Sequence, residues 1–322
     1  MTGASGPPAA APHTVGTHSV GPHGAAIVGA GRMGRAHAAA WARIGVPVRW
    51  AVSPRRRPEL PDAPDARWAT SLEEALADPA VTIVSICTPT PSHADLARQA
   101  LAAGRNVLLE KPIALTMEDA ARVAEAASRA PGVLMVAHVV RFFPGYAALA
   151  SRVAAGSVGR PRVVRASRIS DAPVGYDWLA DEERSGGMLV DFAIHDIDQA
   201  VAYLGRPVAV TSVPLPGDAF GTPVATTIEF ADGGVAQLLS ASDLPADQPF
   251  RTALEVLGDT GFDAAEPDAG DAFAEQARYF LQCVEEGVPP DRAPVASAVE
   301  ALRVALAARQ SARTGRRVEL SD

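Results

Sequence analysis

A glycine-rich turn near the start of the chain constrains the fold more than any other feature. It lies between an apolar run at residues 25–28 and a helical pattern that extends to about Ile44. It has the spacing G-x-G-x-x-G and reads Gly29-Ala30-Gly31-Arg32-Met33-Gly34. In a strand–turn–helix unit the first glycine allows a tight turn, the second lets the backbone approach a pyrophosphate, and the third lets helix and strand pack closely. The position predicts a dinucleotide site; the alternative is a purely structural glycine-rich turn.

The next hundred residues alternate short apolar runs with helical patterns. Strands are predicted at residues 48–52, 81–86, 106–109 and 133–140. The helices between them are predicted from Ser71, which opens a capping-box pattern, over residues 94–103, and over residues 116–130 with Thr116 as the cap. Strands separated by helices imply right-handed βαβ units and a doubly wound parallel sheet of the Rossmann type, over residues 24–141.

The pattern changes after about Arg141. A helix is predicted near residues 145–155 and another over residues 187–204, with two more near residues 271–286 and 295–314. Between them, strands are predicted over residues 161–170, 207–214, 224–231, 235–243 and 251–257. Consecutive strands without intervening helices favour a second, α+β domain, residues 142–322, with a mainly antiparallel sheet and helices on one face.

Composition excludes several classes of protein. The net charge of −8 argues against nonspecific nucleic-acid binding, and no run of about 18 apolar residues predicts a membrane span. The two cysteines provide no disulfide framework, so we expect a cytoplasmic protein. Residues 1–23 contain no charged side chain except histidines and are predicted to be a disordered tail. The tail histidines, His13, His18 and His23, make a poor metal cage because no cysteine accompanies them.

The residues after the second predicted strand bear on cofactor choice. An NAD site usually has an acidic residue there, which binds the ribose hydroxyls. This chain instead has Ser53 and the arginines Arg55, Arg56 and Arg57. A hydroxyl and guanidinium groups suit a 2′-phosphate, so we predict a preference for NADP, with NAD as the alternative cofactor. It is also possible to explain the arginines as a solvated surface loop with no role in cofactor choice.

Lysine occurs once among the 29 basic residues. That residue, Lys111, follows Glu110 at the carboxyl end of a predicted parallel strand, the edge at which ligands of such sheets bind. Arginine stays charged, whereas a lysine can share its proton. We therefore predict that Lys111 hydrogen-bonds a substrate hydroxyl and stabilises an alkoxide; the alternative is an incidental surface charge.

A polar stripe marks the helix predicted over residues 187–204. Asp191 and His195 are four residues apart, and Asp198 follows three residues later, so all three lie on one helical face. A carboxylate one turn from an imidazole can orient it, which predicts acid–base chemistry at a cleft. The spacing would also serve a metal, but no convincing further ligands are present, and a structural polar cluster is the remaining alternative.

Taken together, these motifs resemble the Gfo/Idh/MocA family, named for glucose–fructose oxidoreductase, inositol dehydrogenase and a rhizopine catabolism protein. The resemblance extends from Gly24 to about Leu320. Its segments are residues 29–34, Cys87-Thr88-Pro89 with His93, residues 103–112, residues 186–198 and residues 311–318.

The resemblance implies hydride transfer between a pyridine nucleotide and a sugar or cyclitol. It assigns Lys111 as the active-site lysine, Asp191 as the substrate-binding aspartate and His195 as the catalytic histidine. It also places Thr88, Pro89, His93 and Glu110 along the cofactor. It implies that the second domain has an open sheet, binds the substrate and mediates homodimers or homotetramers. Two rival functions stay open: a dinucleotide-binding regulator without turnover, and a redox-neutral enzyme with tightly bound cofactor.

Substrate identity is less constrained. Arg141, Tyr146, Tyr176, Asp177 and Trp178 are candidates for lining the substrate pocket, since aromatic residues often stack on sugar faces. Packing at the domain junction is an equally good explanation of these residues.

Overall fold

The described part of the chain contains two β-sheets. The computed structural model describes residues 23–54, 59–172, 177–216, 220–266 and 270–320. Arg55, Arg56, Arg57 and Tyr176 lie outside the described residues, as do His13, His18 and the rest of residues 1–22.

The first sheet has six parallel strands in the order β3-β2-β1-β4-β5-β6. They are β1 (Ala25–Val28), β2 (Val48–Val52), β3 (Arg67–Ala69), β4 (Ile83–Ile86), β5 (Asn106–Glu110) and β6 (Leu134–Ala137). Every residue of β1, β4 and β6 is buried, which explains their continuous apolar runs: both faces are covered by helices. The predicted Rossmann sheet is confirmed, and β3 is a strand that the pattern did not predict.

The helices of this half follow the predicted order. They are α1 (Arg32–Arg43), α2 (Leu72–Leu76), α3 (His93–Ala102) and α4 (Met117–Arg129). The Thr116 hydroxyl accepts a hydrogen bond from the Asp119 N–H, so the predicted cap of α4 is confirmed. Ser71 makes no capping bond with its side chain, and Glu74 accepts hydrogen bonds from the backbone N–H and hydroxyl of Thr70 rather than from Ser71. The capping-box prediction at Ser71 is therefore wrong.

The second sheet has seven strands in the order β12-β11-β7-β10-β9-β8-β13. They are β7 (Pro161–Asp171), β8 (Pro207–Pro214), β9 (Val224–Phe230), β10 (Val235–Leu244), β11 (Arg251–Gly258), β12 (Phe262–Ala264) and β13 (Val318–Glu319). Neighbouring strands are antiparallel except for β7 and β10, which pair in parallel. The prediction of a mainly antiparallel sheet is confirmed.

Helices cover one face of the second sheet. Those of this half are α5 (Pro144–Ala154), α6 (Asp177–Ala180), α7 (Glu182–Ser185), α8 (Ile194–Leu204), α9 (Ala272–Glu286) and α10 (Val295–Thr314). The prediction of a single helix over residues 187–204 is wrong in one respect. Residues 188–192 form a π-helical turn, in which the Ala193 N–H bonds the Met188 carbonyl, and the α-helix begins only at Ile194. Gly186 and Gly187, both with positive φ, precede the turn.

The last helices of the chain return to the first sheet. Helix α9 packs on α1, with the Trp41 and Phe280 rings 6.3 Å apart edge to face. Helix α10 contacts α4 and β6 as well as α8 and β8. These contacts hold the carboxyl edge of the first sheet against the π-helical turn. Among the described residues, none of the helices is both long and apolar enough to cross a membrane.

Candidate active site

The glycine-rich turn has the geometry of a phosphate cradle. Gly29 has φ +86°, and a Cβ there would meet the Cys87 carbonyl at 2.7 Å. A Cβ on Gly34 would approach the Gly29 carbonyl oxygen to 2.0 Å, so this glycine permits the close contact of α1 with β1. A Cβ on Gly31 would meet nothing within 4 Å. Open space at the middle glycine, at the start of α1, fits a dinucleotide pyrophosphate.

The end of β2 is fixed by β3. The Ser53 N–H donates to the Ala69 carbonyl, and the Trp68 indole N–H donates to the Ser53 carbonyl at 3.1 Å. A cavity of about 260 Å³ lies beside these strands, and Ala51, Glu59 and Trp68 are among its lining residues. Glu59 is thus an acidic residue near β2 that the sequence-based comparison with NAD sites did not consider.

The residues after β4 form a braced loop. The Thr88 hydroxyl accepts a hydrogen bond from Ser92, and Pro89 precedes a short 3₁₀ turn, Thr90–Ser92. His93 is buried, with Nδ1 2.8 Å from the Pro112 carbonyl and Nε2 2.9 Å from the Thr88 carbonyl. Burial lowers the pKa of His93, so the neutral ring donates to one of these carbonyls. His93 therefore connects the loops after β4 and β5, and its direct contact with a cofactor stays a prediction.

Glu110 is buried at the end of β5 and holds the backbone of its neighbour. One carboxylate oxygen lies 2.9 Å from Nε2 of His37 in α1, and the other accepts from the Lys111 N–H. Burial alone would lower the pKa of His37, but Cys87 and Glu110 beside it raise it to about 10. Because burial raises the pKa of the Cys87 thiol, Glu110 is the anion that His37 faces at neutral pH. The pair of His37 and Glu110 therefore connects helix α1 to the segment that carries Lys111.

Lys111 contacts the second half of the chain. Its Nζ lies 3.0 Å from Oδ1 of Asp191 and donates a second hydrogen bond to the Asp191 carbonyl at 2.6 Å. The two side chains are 14% and 15% exposed, so the ion pair is largely shielded from solvent. Asp191 reaches Lys111 from the π-helical turn, and no hydrogen bond among the described residues joins it to His195.

His195 occupies the first turn of α8. Burial lowers the pKa of His195 well below its usual value, and Arg168 and Lys111 lower it further. The ring is therefore neutral at neutral pH and able to accept a proton. Its Nδ1 is buried without a hydrogen-bond partner.

Asp198 is buried rather than aligned with the other two residues along a cleft. It accepts two hydrogen bonds from Arg141, at 2.6 and 2.7 Å, and the Ser297 hydroxyl also donates to it. Arg141 also donates to the Arg292 carbonyl. The helical spacing of Asp191, His195 and Asp198 thus does not produce one functional stripe, because the π-helical turn changes the direction of Asp191.

The other candidates for lining the pocket lie in different surroundings. Tyr146, in α5, is buried and packs edge to face on Phe143 at 5.7 Å. Trp178 is half-buried in the short helix α6. Tyr176 is outside the described residues, as is the side chain of Asp177. The structure joins Lys111 to Asp191 in an ion pair, and Lys111 lies close enough to His195 to lower its pKa.

Three of the buried pairs that the sequence analysis missed contain charged or titratable groups. They are His37 with Glu110, His138 with Asp198, and Arg168 with Asp196. His37 follows Gly34 by three residues on the buried face of α1, a signal that was available. The other two pairs join different elements, and no local pattern predicts them. Within the described ranges no group of three histidine, cysteine or acidic side chains is arranged to hold a metal ion.

Both halves of the chain match models of one protein family. The Gfo/Idh/MocA family model described as an oxidoreductase family with an NAD-binding Rossmann fold matches residues 24–138. The model of the GFO/IDH/MocA C-terminal domain matches residues 146–262.

Two curated relatives and one solved structure have informative names. Inositol 2-dehydrogenase of Rhizobium meliloti is 30% identical over 252 residues, 74% of each chain. The NAD⁺-dependent scyllo-inositol 2-dehydrogenase of Bacillus subtilis is 27% identical over 289 residues, 79% of this chain and 82% of its own. The crystal structure of GenD2 from gentamicin A biosynthesis, in complex with NAD, is 29% identical with a TM-score of 0.82, covering 98% of this chain and 100% of GenD2.

Proposed function

We propose that this chain, which belongs to the Gfo/Idh/MocA family of NAD(P)-dependent oxidoreductases, transfers a hydride between a nicotinamide cofactor and a carbinol or ketone carbon of a cyclitol or sugar. The observation that carries the proposal is the contact of Lys111 with Asp191 near the neutral His195. A cation, a carboxylate and a proton acceptor are the groups that oxidation of an alcohol needs. The names of the inositol dehydrogenases support the substrate class.

The dinucleotide would be held by residues from several loops of the first sheet. They are Gly29, Ala30, Gly31, Arg32, Met33, Gly34, Ser53, Arg55, Thr88, Pro89, His93 and Glu110. The open space at Gly31 supports this assignment. When bound, the nicotinamide ring supplies the hydride acceptor or donor. We propose NADP as the preferred cofactor, supported by Ser53 at the end of β2; Glu59 in the neighbouring cavity favours NAD, the alternative.

We propose separate roles for the side chains of the site in proton transfer and in stabilising charge. In the oxidative direction the substrate hydroxyl proton passes to His195, and the Lys111 ammonium stabilises the oxygen as its negative charge develops. Asp191 orients the hydroxyl and holds Lys111 in place. In the reductive direction His195 or Lys111 returns the proton to the oxygen.

Trp178, proposed to line the substrate pocket, is half-buried, which leaves part of its ring free to stack on a sugar face. Arg141 contributes through Asp198 instead, because its guanidinium is already bound there. Tyr146 supports the packing at the start of the second half.

A substrate panel tests the function. Inositols, aldoses and keto-sugars are assayed with both nucleotides, following absorbance of the reduced nicotinamide. Turnover with a cyclitol or sugar and net change in the nucleotide is the expected result. A regulator gives binding without turnover, and a redox-neutral enzyme gives product without net cofactor change; either outcome would overturn the proposal.

We also propose that the exposed face of the second sheet mediates a homodimer or homotetramer. Helices α8 and α10 cover the opposite face of the sheet. The strand register places four exposed apolar side chains together on the uncovered face: Val213, Leu239, Leu257 and Phe262. Exposed apolar patches of this kind mark interfaces. Leu239→Arg should shift the sedimentation coefficient towards that of a monomer, and a monomeric wild type would refute the proposal.

A further inference from the structure

Three buried ring nitrogens near the proposed catalytic centre lack hydrogen-bond partners. They are Nδ1 of His195 and both Nδ1 and Nε2 of His138. Buried polar atoms are nearly always hydrogen-bonded, because leaving one unsatisfied is costly. Two such histidines side by side therefore point to a hydrogen-bond connection between them.

The two rings lie edge to face. Their centroids are 6.3 Å apart and their planes meet at 88°. His138 follows β6, whereas His195 begins α8, so the contact joins the two halves of the chain. Because a ring nitrogen lies on the rim of its ring, two ring nitrogens that face each other are closer than the two centroids, and one bridging water or a small inward movement can join them.

Asp198 sets the direction of this connection. Its Oδ2 lies 3.7 Å from Nδ1 of His138. Burial alone would raise the pKa of Asp198, but Arg141 and His138 lower it, so the carboxylate is ionised and can only accept. Burial lowers the pKa of His138, which is therefore neutral with one N–H. That proton is favoured on Nδ1, towards Asp198, which leaves Nε2 of His138 as an acceptor.

We propose that His138 is a positioning residue that accepts a hydrogen bond from the Nδ1–H of His195, directly or through one water, and so leaves Nε2 of His195 free to take the substrate proton. This inference rests on the proposed function. A neutral histidine serves as a base at one nitrogen only when the other carries the proton, and a buried partner selects that tautomer. After proton transfer, the new positive charge on His195 faces Asp198 through His138.

The other charged groups around the two rings are mostly paired. Arg168 binds Asp196, Lys111 binds Asp191, and Glu110 faces His37. Arg168 and Lys111 disfavour protonation of His195. Arg141 and Lys111 disfavour protonation of His138, whereas Asp198 and Glu110 favour it. Asp198 is itself bound by Arg141, and its Oδ2 also lies 3.7 Å from Nδ1 of His138.

Substitution separates this role from a structural one. His138→Phe keeps an edge-on ring but no acceptor, and kcat should fall by at least about tenfold with dinucleotide affinity unchanged. The acidic limb of the pH profile of kcat should move to lower pH, because the imidazolium of His195 loses its acceptor. His138→Gln restores an acceptor and should recover part of kcat. Tyr203→Phe, which removes another unpartnered buried polar atom from α8, is the matched control and should leave kcat and its pH profile unchanged.

The tautomer can be read without any turnover. In ¹⁵N-histidine NMR spectra of the wild type, the His195 signals, assigned with a His195→Asn variant, should show the proton on Nδ1. The His138→Phe variant should shift the population towards Nε2–H. A proton on Nε2 in the wild type, or an unchanged kcat and pH profile in His138→Phe, would overturn the inference. Absence of turnover with every substrate would refute the proposed function but leave the tautomer measurement decisive for His138.

Discussion

Lys111 and Asp191, 80 residues apart in the chain, meet at 3.0 Å between Nζ and Oδ1. Lys111 follows the last residue of β5, and Asp191 lies in the π-helical turn before α8. The ammonium also bonds the Asp191 backbone carbonyl, so two acceptors of one residue hold it. The contact joins the carboxyl edge of the parallel sheet to the second half of the chain.

Lys111→Arg should lower kcat by about a hundredfold or more while dinucleotide affinity stays near that of the wild type. The planar guanidinium stays charged, and it cannot occupy the compact position between the carbonyl and carboxylate of Asp191. Steady-state assays and fluorescence titration with the reduced nucleotide measure the two quantities. Arg122→Lys, on the exposed face of α4, is the reciprocal control and should change neither. Wild-type turnover in Lys111→Arg would remove the lysine from the mechanism.

The variants Gly31→Ala and Gly34→Ala should differ in effect: the first should weaken dinucleotide binding, and the second should lower the stability of the fold. The new methyl group at Gly31 meets no protein atom within 4 Å, so stability should fall by no more than about 1 kcal/mol, whereas the methyl occupies the space for the pyrophosphate. At Gly34 the methyl would lie 2.0 Å from the Gly29 carbonyl oxygen, so stability should fall by about 2 kcal/mol or more.

Chemical unfolding and nucleotide titration of both glycine variants check this pair. Gly31→Ala should lose affinity with an almost unchanged unfolding midpoint. Full affinity in that variant would mean that the turn is only structural.

Ser53→Asp should weaken NADPH binding by about tenfold and strengthen NADH binding, because a carboxylate at the end of β2 repels a 2′-phosphate and accepts ribose hydroxyls. Dissociation constants for both reduced nucleotides provide the measurement. Ser151→Asp in α5 adds the same charge far from β2 and serves as the control. Tighter binding of NADH than of NADPH by the wild type would contradict the predicted preference.

Stability should be greatest near neutral pH and decline on both sides. The pKa of His37 rises from 6.5 to about 10 on folding, so its stabilising contribution is complete below about pH 6.5 and is lost as pH rises towards 10. The pKa values of His93, His138 and His195 fall on folding, so the unfolded chain binds protons first and stability drops as pH decreases below about 6.5.

Urea unfolding between about pH 5 and pH 10 measures this profile. His37→Gln should remove at least about 1 kcal/mol of stability at neutral pH and flatten the alkaline decline. His23→Gln, at a partly buried position in the first described segment, is the matched control. An alkaline decline of equal slope in His37→Gln would show that the pair with Glu110 is not its cause.

Patterns along the chain predicted most elements because each is a local consequence of side-chain spacing. The bounds of β2 and α10 match the predicted residues 48–52 and 295–314, and β1 is the apolar run before the glycines. The predictions of secondary structure were wrong where a non-local contact or an unusual turn determined the local conformation. The π-helical turn after Gly187 broke a helix that the apolar period favoured, and β3 is too short for its own period to be recognised.

The sequence by itself determined the parallel sheet, the glycine-rich turn and the position of the only lysine at a strand end, because strand alternation, glycine spacing and residue rarity can all be counted along one segment. Only the tertiary structure decided which polar groups meet. It paired Asp191 with Lys111 rather than His195, buried Asp198 against Arg141, and left His138 beside His195. The free energy of a buried charge depends on partners from other elements within a few ångströms, and that proximity exists only after the two sheets have packed.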